Sequence, residues 1–122
     1  MKDTKVASVQ FEHAPGDKQA NLEKVRRFTA ESAKQGVELV VFPEMCVTGY
    51  WHLRDWSRKQ LTALAEPVPG GPTTEELLRV AKRHNLSLGA GLLEISDEGE
   101  LFNSYVVAMP DGRTVCHRKL HA

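Results

Sequence analysis

Residues 37–44 read Val37-Glu38-Leu39-Val40-Val41-Phe42-Pro43-Glu44, a short and nearly continuous apolar run stopped by a proline. Such a run, rich in β-branched residues, predicts a buried strand. Immediately upstream, from Asp17 to Gln35, the residues Leu22, Val25, Phe28, Thr29 and Ala33 recur near helical spacing. Asp17 suits an N-cap and Gly36 the residue just past a helix end, so this stretch predicts an amphipathic helix. Further upstream Lys5–Phe11 (KVASVQF) carries no breaker and reads as another strand, interrupted by His13-Ala14-Pro15-Gly16. Strand, amphipathic helix and buried strand in that order predict a parallel βαβ unit. Glu44 then lies at the carboxyl end of a central strand, where open α/β sheets bind their ligands.

Downstream, Met45–Arg54 reads as a loop holding Gly49, Tyr50, Trp51 and His52, and Ser57–Leu64 as a short helix. Residues 66–72 (EPVPGGP) contain three prolines and two glycines and predict an irregular surface connection. Thr73 and Glu76 have the spacing of a capping box, with Leu77, Leu78 and Ala81 carrying a helix to about Asn85. Leu86–Ile95, Leu101–Met109 and Arg113–Leu120 read as three more strands. The turns Asp97-Glu98-Gly99 and Pro110-Asp111-Gly112 are short enough to make them an antiparallel meander. An α/β fold with two main helices and about five strands follows.

At 122 residues and 41% hydrophobic composition, one domain or a large piece of one is expected. Sixteen Lys and Arg balance sixteen Asp and Glu, so no basic field draws the chain to nucleic acid or an anionic membrane. The opening MKDTKVASVQF lacks the apolar core of a signal peptide, and no run approaches the roughly 20 apolar residues of a membrane span. Two cysteines, Cys46 and Cys116, are too few for a disulfide framework, and a reducing cytoplasm is expected.

Two segments carry candidate chemistry. Residues 42–50 (FPEMCVTGY) place an acid directly after a buried strand, where partial desolvation would raise its pKa toward that of a general base. The same Glu44 also fits as a helix cap or a surface ion-pair partner. Residues 117–121 (HRKLH) end the last strand, and alternation puts Lys119 on the side of His117 and His121, with Arg118 opposite. A lysine facing a cleft there can hold a developing oxyanion, while one on a solvated strand face needs no role. His117 and His121 have H-x-x-x-H spacing, but on a strand they stand roughly 13 Å apart, too far to share an ion bound at about 2 Å. No metal and no cofactor is expected.

With both segments present in order, the sequence resembles the nitrilase, or carbon-nitrogen hydrolase, family, more on its amidase side. In that family a strand ending in F-P-E supplies a glutamate base and an R-K-x-H strand supplies a lysine; here these are Phe42-Pro43-Glu44 and Arg118-Lys119-Leu120-His121. KVASVQF, Thr48-Gly49-Tyr50, the Pro-Gly-rich loop and Phe102-Asn103-Ser104 fit the pattern too. The resemblance implies part of an αββα sandwich, with residues 1–122 the N-terminal portion of a single domain cut after the lysine motif. It implies a Glu-Lys-Cys site in which Glu44 and Lys119 are catalytic and the attacking cysteine lies on a later strand and turn, so that this chain alone is inactive. Cys46 is read as packing or pocket lining and Cys116 as core. Tyr50, Trp51 and His121 are candidate pocket residues, and Asn103 a sheet or turn hydrogen-bonding residue. The implied substrate is a small-molecule amide, carbamoyl compound or nitrile, and the open sandwich face implies a homo-oligomer. The alternative is an inactive truncated homologue that serves as an interaction or oligomerisation partner.

Overall fold

The computed structural model describes residues 3–48 and 56–119. Five strands, β1 (Val6–Ser8), β2 (Leu39–Val41), β3 (Ser87–Ile95), β4 (Leu101–Ala108) and β5 (Thr114–Arg118), form one mixed sheet in the order β1-β2-β3-β4-β5. The helices are α1 (Lys18–Lys34), α2 (Arg58–Leu64) and α3 (Pro72–His84). Helix α1 links the parallel pair β1 and β2, and α3 precedes β3, which is parallel to β2. From β3 to β5 the sheet is an antiparallel meander, as the short turns require.

Period-two alternation divides the sheet into two faces. Val40, Leu88, Ala90, Leu92, Val106 and Ala108 are buried in one cluster with Leu22 and Val25 of α1 and Leu77, Val80 and Ala81 of α3. The opposite face is more open. At its far end Leu93 packs with Met45 and with Leu61 and Leu64 of α2, and at the sheet edges Val6 and Val115 are 52% and 53% exposed. The KVASVQF strand is therefore shorter than its composition suggests, because an edge position leaves Val6 without a covering layer.

Asp17 caps α1 by accepting from the Ala20 N–H, and Gly36 follows the helix at φ +76°. The start of α3 departs from the expected Thr73–Glu76 box. The helix begins at Pro72, which has no N–H to satisfy, and its N-cap Gly71 has no side chain. The buried Glu66 carboxylate takes over, accepting from the Thr73 N–H at 2.6 Å and from the Thr73 hydroxyl, with Lys18 Nζ at 2.9 Å. A negative group there also complements the positive end of the helix. Glu76 instead binds Arg26 at 2.6 Å and Arg79 at 2.9 Å, and the capping box occurs at Ser57 and Gln60 of α2.

Candidate active site

Glu44 comes three residues after β2 ends, at the start of a tight turn over residues 44–48. The turn is pinned to β3 on either side: the Phe42 N–H donates to the Gly89 carbonyl at 2.8 Å and the Val47 N–H to the Gly91 carbonyl at 3.0 Å. Met45, buried within it, adopts φ +54°, a left-handed conformation that costs a non-glycine residue about 1–2 kcal/mol. A chain held this way fixes where the Glu44 side chain leaves the backbone.

Lys119 reaches the same place from the other end of the sheet. Its N–H donates to the Asn103 carbonyl at 2.8 Å, which continues the β4–β5 ladder by one residue. The pairing of Tyr105 with His117 sets Asn103 and Tyr105 on the same face as His117 and Lys119. Lys119 Nζ lies 3.1 Å from Glu44 Oε1, across 75 residues of sequence, and Asn103 Nδ2 donates to that same oxygen. Glu44, Asn103, Tyr105, His117 and Lys119 line a cleft of about 290 Å³. A larger hollow of about 440 Å³ lies between α1 and α3, but its Arg26 and Arg79 are paired with Glu23 and Glu76, so size alone does not mark the site.

The expected upward shift of the Glu44 carboxyl is not found. The Lys119 hydrogen bond is the largest influence and, with the Asn103 amide and the lysine charge, outweighs partial burial and holds the carboxyl below its ordinary value. At 47% exposure the side chain keeps enough water that desolvation cannot win. Tyr105 is the opposite case: burial pushes its phenol up to about 12, and its hydroxyl donates to the Phe42 carbonyl at 2.6 Å.

Cys46 does not face the cleft with Glu44, as an extended chain would require. The turn sends it into the core with its Sγ 3.9 Å from the Gly91 carbonyl, and burial pushes the thiol up to about 12, the reverse of an activated nucleophile. Cys116 corrects its expectation of a core position. Alternation does turn it away from Lys119, but β5 is an edge strand beyond the helices, and Cys116 is exposed near the Glu94 carboxylate. Tyr50, Trp51 and His121 lie outside the described residues. Asn103, read as a sheet or turn residue, binds Glu44, and Tyr105 was not singled out; carrying the Lys119 facing across the β4–β5 pairing would have identified both. Among the described residues no cluster of three His, Cys, Asp or Glu could hold a metal ion.

This layering of a mixed sheet and helices is that of the nitrilase-type fold. Nit3 of Saccharomyces cerevisiae, a member of branch 10 of the nitrilase superfamily, superposes with a TM-score of 0.79 at 26% identity over 97% of this chain and 44% of that one. XC1258 of Xanthomonas campestris, a CN-hydrolase superfamily protein, gives 0.76 at 23% identity over 99% and 42%. The carbon-nitrogen hydrolase family model matches residues 5–122, and the chain belongs to that family. A nitrilase of Pyrococcus abyssi is 36% identical over 96% of this chain and 43% of its own length. The omega-amidase NIT2 of Xenopus tropicalis is 34% identical over 99% and 41%, and an aliphatic nitrilase of Rhodococcus rhodochrous 31% identical over 94% and 33%. The chain thus spans less than half the length of these relatives.

Proposed function

We propose that this chain supplies the glutamate and lysine of a Glu-Lys-Cys site that hydrolyses a non-peptide carbon-nitrogen bond, converting a small amide to a carboxylic acid and ammonia. The observation that carries the reading is the 3.1 Å approach of Lys119 Nζ to Glu44 Oε1 at the strand ends of a carbon-nitrogen hydrolase fold. In this reading residues 1–122 are the N-terminal portion of one domain, and the thiol comes from the remainder, since buried Cys46 is an unsuitable nucleophile.

Glu44 takes the thiol proton as sulfur attacks the carbonyl carbon, and the carbonyl electrons move to oxygen, which Lys119 holds. The C–N bond then breaks, the nitrogen takes the proton back from Glu44, and ammonia leaves a thioester. Water attacks the thioester carbon, again giving a proton to Glu44; the carbon-sulfur bond breaks, and the thiol recovers that proton as the acid departs. The lowered Glu44 pKa fits the first step, because the group is a carboxylate at neutral pH. As the ammonium turns toward the oxyanion it stabilises the carboxylate less, so basicity rises when a proton must be taken.

The nitrilase and omega-amidase relatives support a nitrile or amide as substrate, and the FPEMCVTGY segment favours the amide. A reducing cytoplasmic setting belongs to this reading, supported by two thiols outside any disulfide. The exposed Val6 and Val115 on the sheet face away from α1 and α3 support a covering layer there, from the rest of the domain or a second copy; a role as an inactive oligomerisation partner rests on the same face.

In a chain carrying the whole domain, Glu44→Gln should slow single-turnover acylation by roughly 10²- to 10⁴-fold. Lys119→Met should remove roughly 3–4 kcal/mol of oxyanion stabilisation while substrate still binds. A Lys119→Met enzyme altered only in substrate affinity would refute the lysine's role.

A further inference from the structure

We propose that Gly91 and Tyr105 are positioning residues for Glu44: the bare Cα of Gly91 seats the Glu44–Met45 peptide, and the Tyr105 hydroxyl holds the Phe42 carbonyl just before it. The inference rests on the reading of Glu44 as the base.

The two residues are cross-strand partners, yet each supports the glutamate differently. A Cβ on Gly91 would overlap the Met45 nitrogen outright and stand 2.9 Å from the Glu44 carbonyl carbon and 3.0 Å from its Cα. These are backbone atoms, which cannot swing aside as a side-chain tip can. The Val47 N–H bond to the Gly91 carbonyl ties the turn to the same residue from the other side. Tyr105 leaves this space open by leaning away. Its ring lies over Gly89, where an added Cβ would stand 2.6 Å from Cε2 and 2.8 Å from the hydroxyl oxygen. From there the hydroxyl reaches the Phe42 carbonyl at 2.6 Å, two residues before Glu44. Glycines two apart on one face of β3 therefore receive, respectively, a ring and a peptide, and Glu44 is bracketed by both.

The geometry to be preserved is the approach of one carboxylate oxygen to Lys119 and Asn103. If the peptide lifts, both contacts are lost. The titration of the Glu44 carboxyl reports this directly in the chain as it stands, followed by carbon NMR and assigned with Glu44→Gln. In the unaltered chain it should titrate below the ordinary glutamate range. Gly91→Ala should move it upward toward that range, and Tyr105→Phe, which keeps the ring over Gly89, should move it upward by less. Either variant that leaves the titration where it was removes its residue from the proposal. Amide-exchange protection of β3 and β4, measured in parallel, tests folding: a Gly91→Ala chain that loses it makes Gly91 a folding residue and overturns its part, while Tyr105→Phe still tests the other. Lys119→Met separates the two levels of inference. If it fails to raise the Glu44 titration, the Glu44–Lys119 reading itself falls; if it succeeds while both positioning variants do nothing, only the seat falls.

Discussion

Arg118 and Lys119 are consecutive, both cationic, and each meets a glutamate, yet the two pairs differ in almost every physical respect. Strand alternation sends Lys119 to the cleft, where it meets Glu44 with the two side chains 56% and 47% exposed. It sends Arg118 to the other face, where its guanidinium grips the Glu94 carboxylate with two bonds, 3.0 Å from Nε to Oε1 and 2.8 Å from Nη2 to Oε2. Glu94 is only 2% exposed and also accepts the Ser104 hydroxyl, while the guanidinium lies 4.2 Å from the centre of the Phe102 ring. One glutamate is locked by burial and a fork of donors; the other is held by a single lysine and an amide and stays open to water. Arg118–Glu94 is thus a pair that builds the sheet, and Lys119–Glu44 a pair open to water at the cleft where the proposed reaction would occur.

The largest effect should come from the buried side. Glu94→Ala removes the acceptor of Ser104 and Arg118 and leaves a void, and should cost roughly 2–4 kcal/mol of unfolding free energy by denaturant titration. A loss below about 1 kcal/mol would erase the distinction between the pairs.

Next in size is a pH effect. Burial alone would raise the Glu94 carboxyl, but Arg118 and Ser104 outweigh it and leave the carboxyl below its ordinary value of 4.5. A depressed acid contributes stability that is fully present above that ordinary value and is lost as pH falls through the native one. Arg118→Ala removes the strongest lowering influence, so the carboxyl should rise from its native value, and the deficit against the unaltered chain should be greatest near neutrality and shrink in acid. A deficit independent of pH would mean that Arg118 acts through packing alone. Facing away from the cleft therefore does not make Arg118 inert.

The smallest effect belongs to the open pair. Glu44→Gln and Lys119→Met should each change unfolding free energy by less than about 1 kcal/mol, because an exposed ion pair gains little over hydrated charges. A loss above about 2 kcal/mol in either variant would place Glu44–Lys119 among the structural pairs.

What the sequence made legible is what depends on local period. The apolar spacing of Leu22, Val25 and Thr29 on α1, the continuous run before Pro43 and the short turns of the meander each state a geometry that neighbours a few residues away enforce. The opposite facings of Arg118 and Lys119 follow from the same period of two. What stayed hidden depends on partners far along the chain. Thr73 and Glu76 have capping-box spacing, but Glu66 and Arg26 reach them first. Cys116 sits in a strand whose edge position no local pattern declares. The pKa direction of Glu44 was misjudged because burial at a strand end was weighed without Lys119, 75 residues away, and the amide of Asn103, 59 residues away, both of which bind its Oε1.

The β4–β5 turn, closed by the Met109 N–H bond to the Arg113 carbonyl at 2.9 Å and by Gly112 at φ +95°, sets how β5 lies along β4. Because side chains alternate, sliding β5 by one residue against its partner would turn the arginine toward the Glu44 cleft and the lysine toward the buried acid. Loop length at Pro110–Gly112, far from any reacting atom, is therefore a parity switch: losing a single residue there would exchange the roles of two neighbouring cations, whereas losing two would restore their facing and shift only their position along the groove.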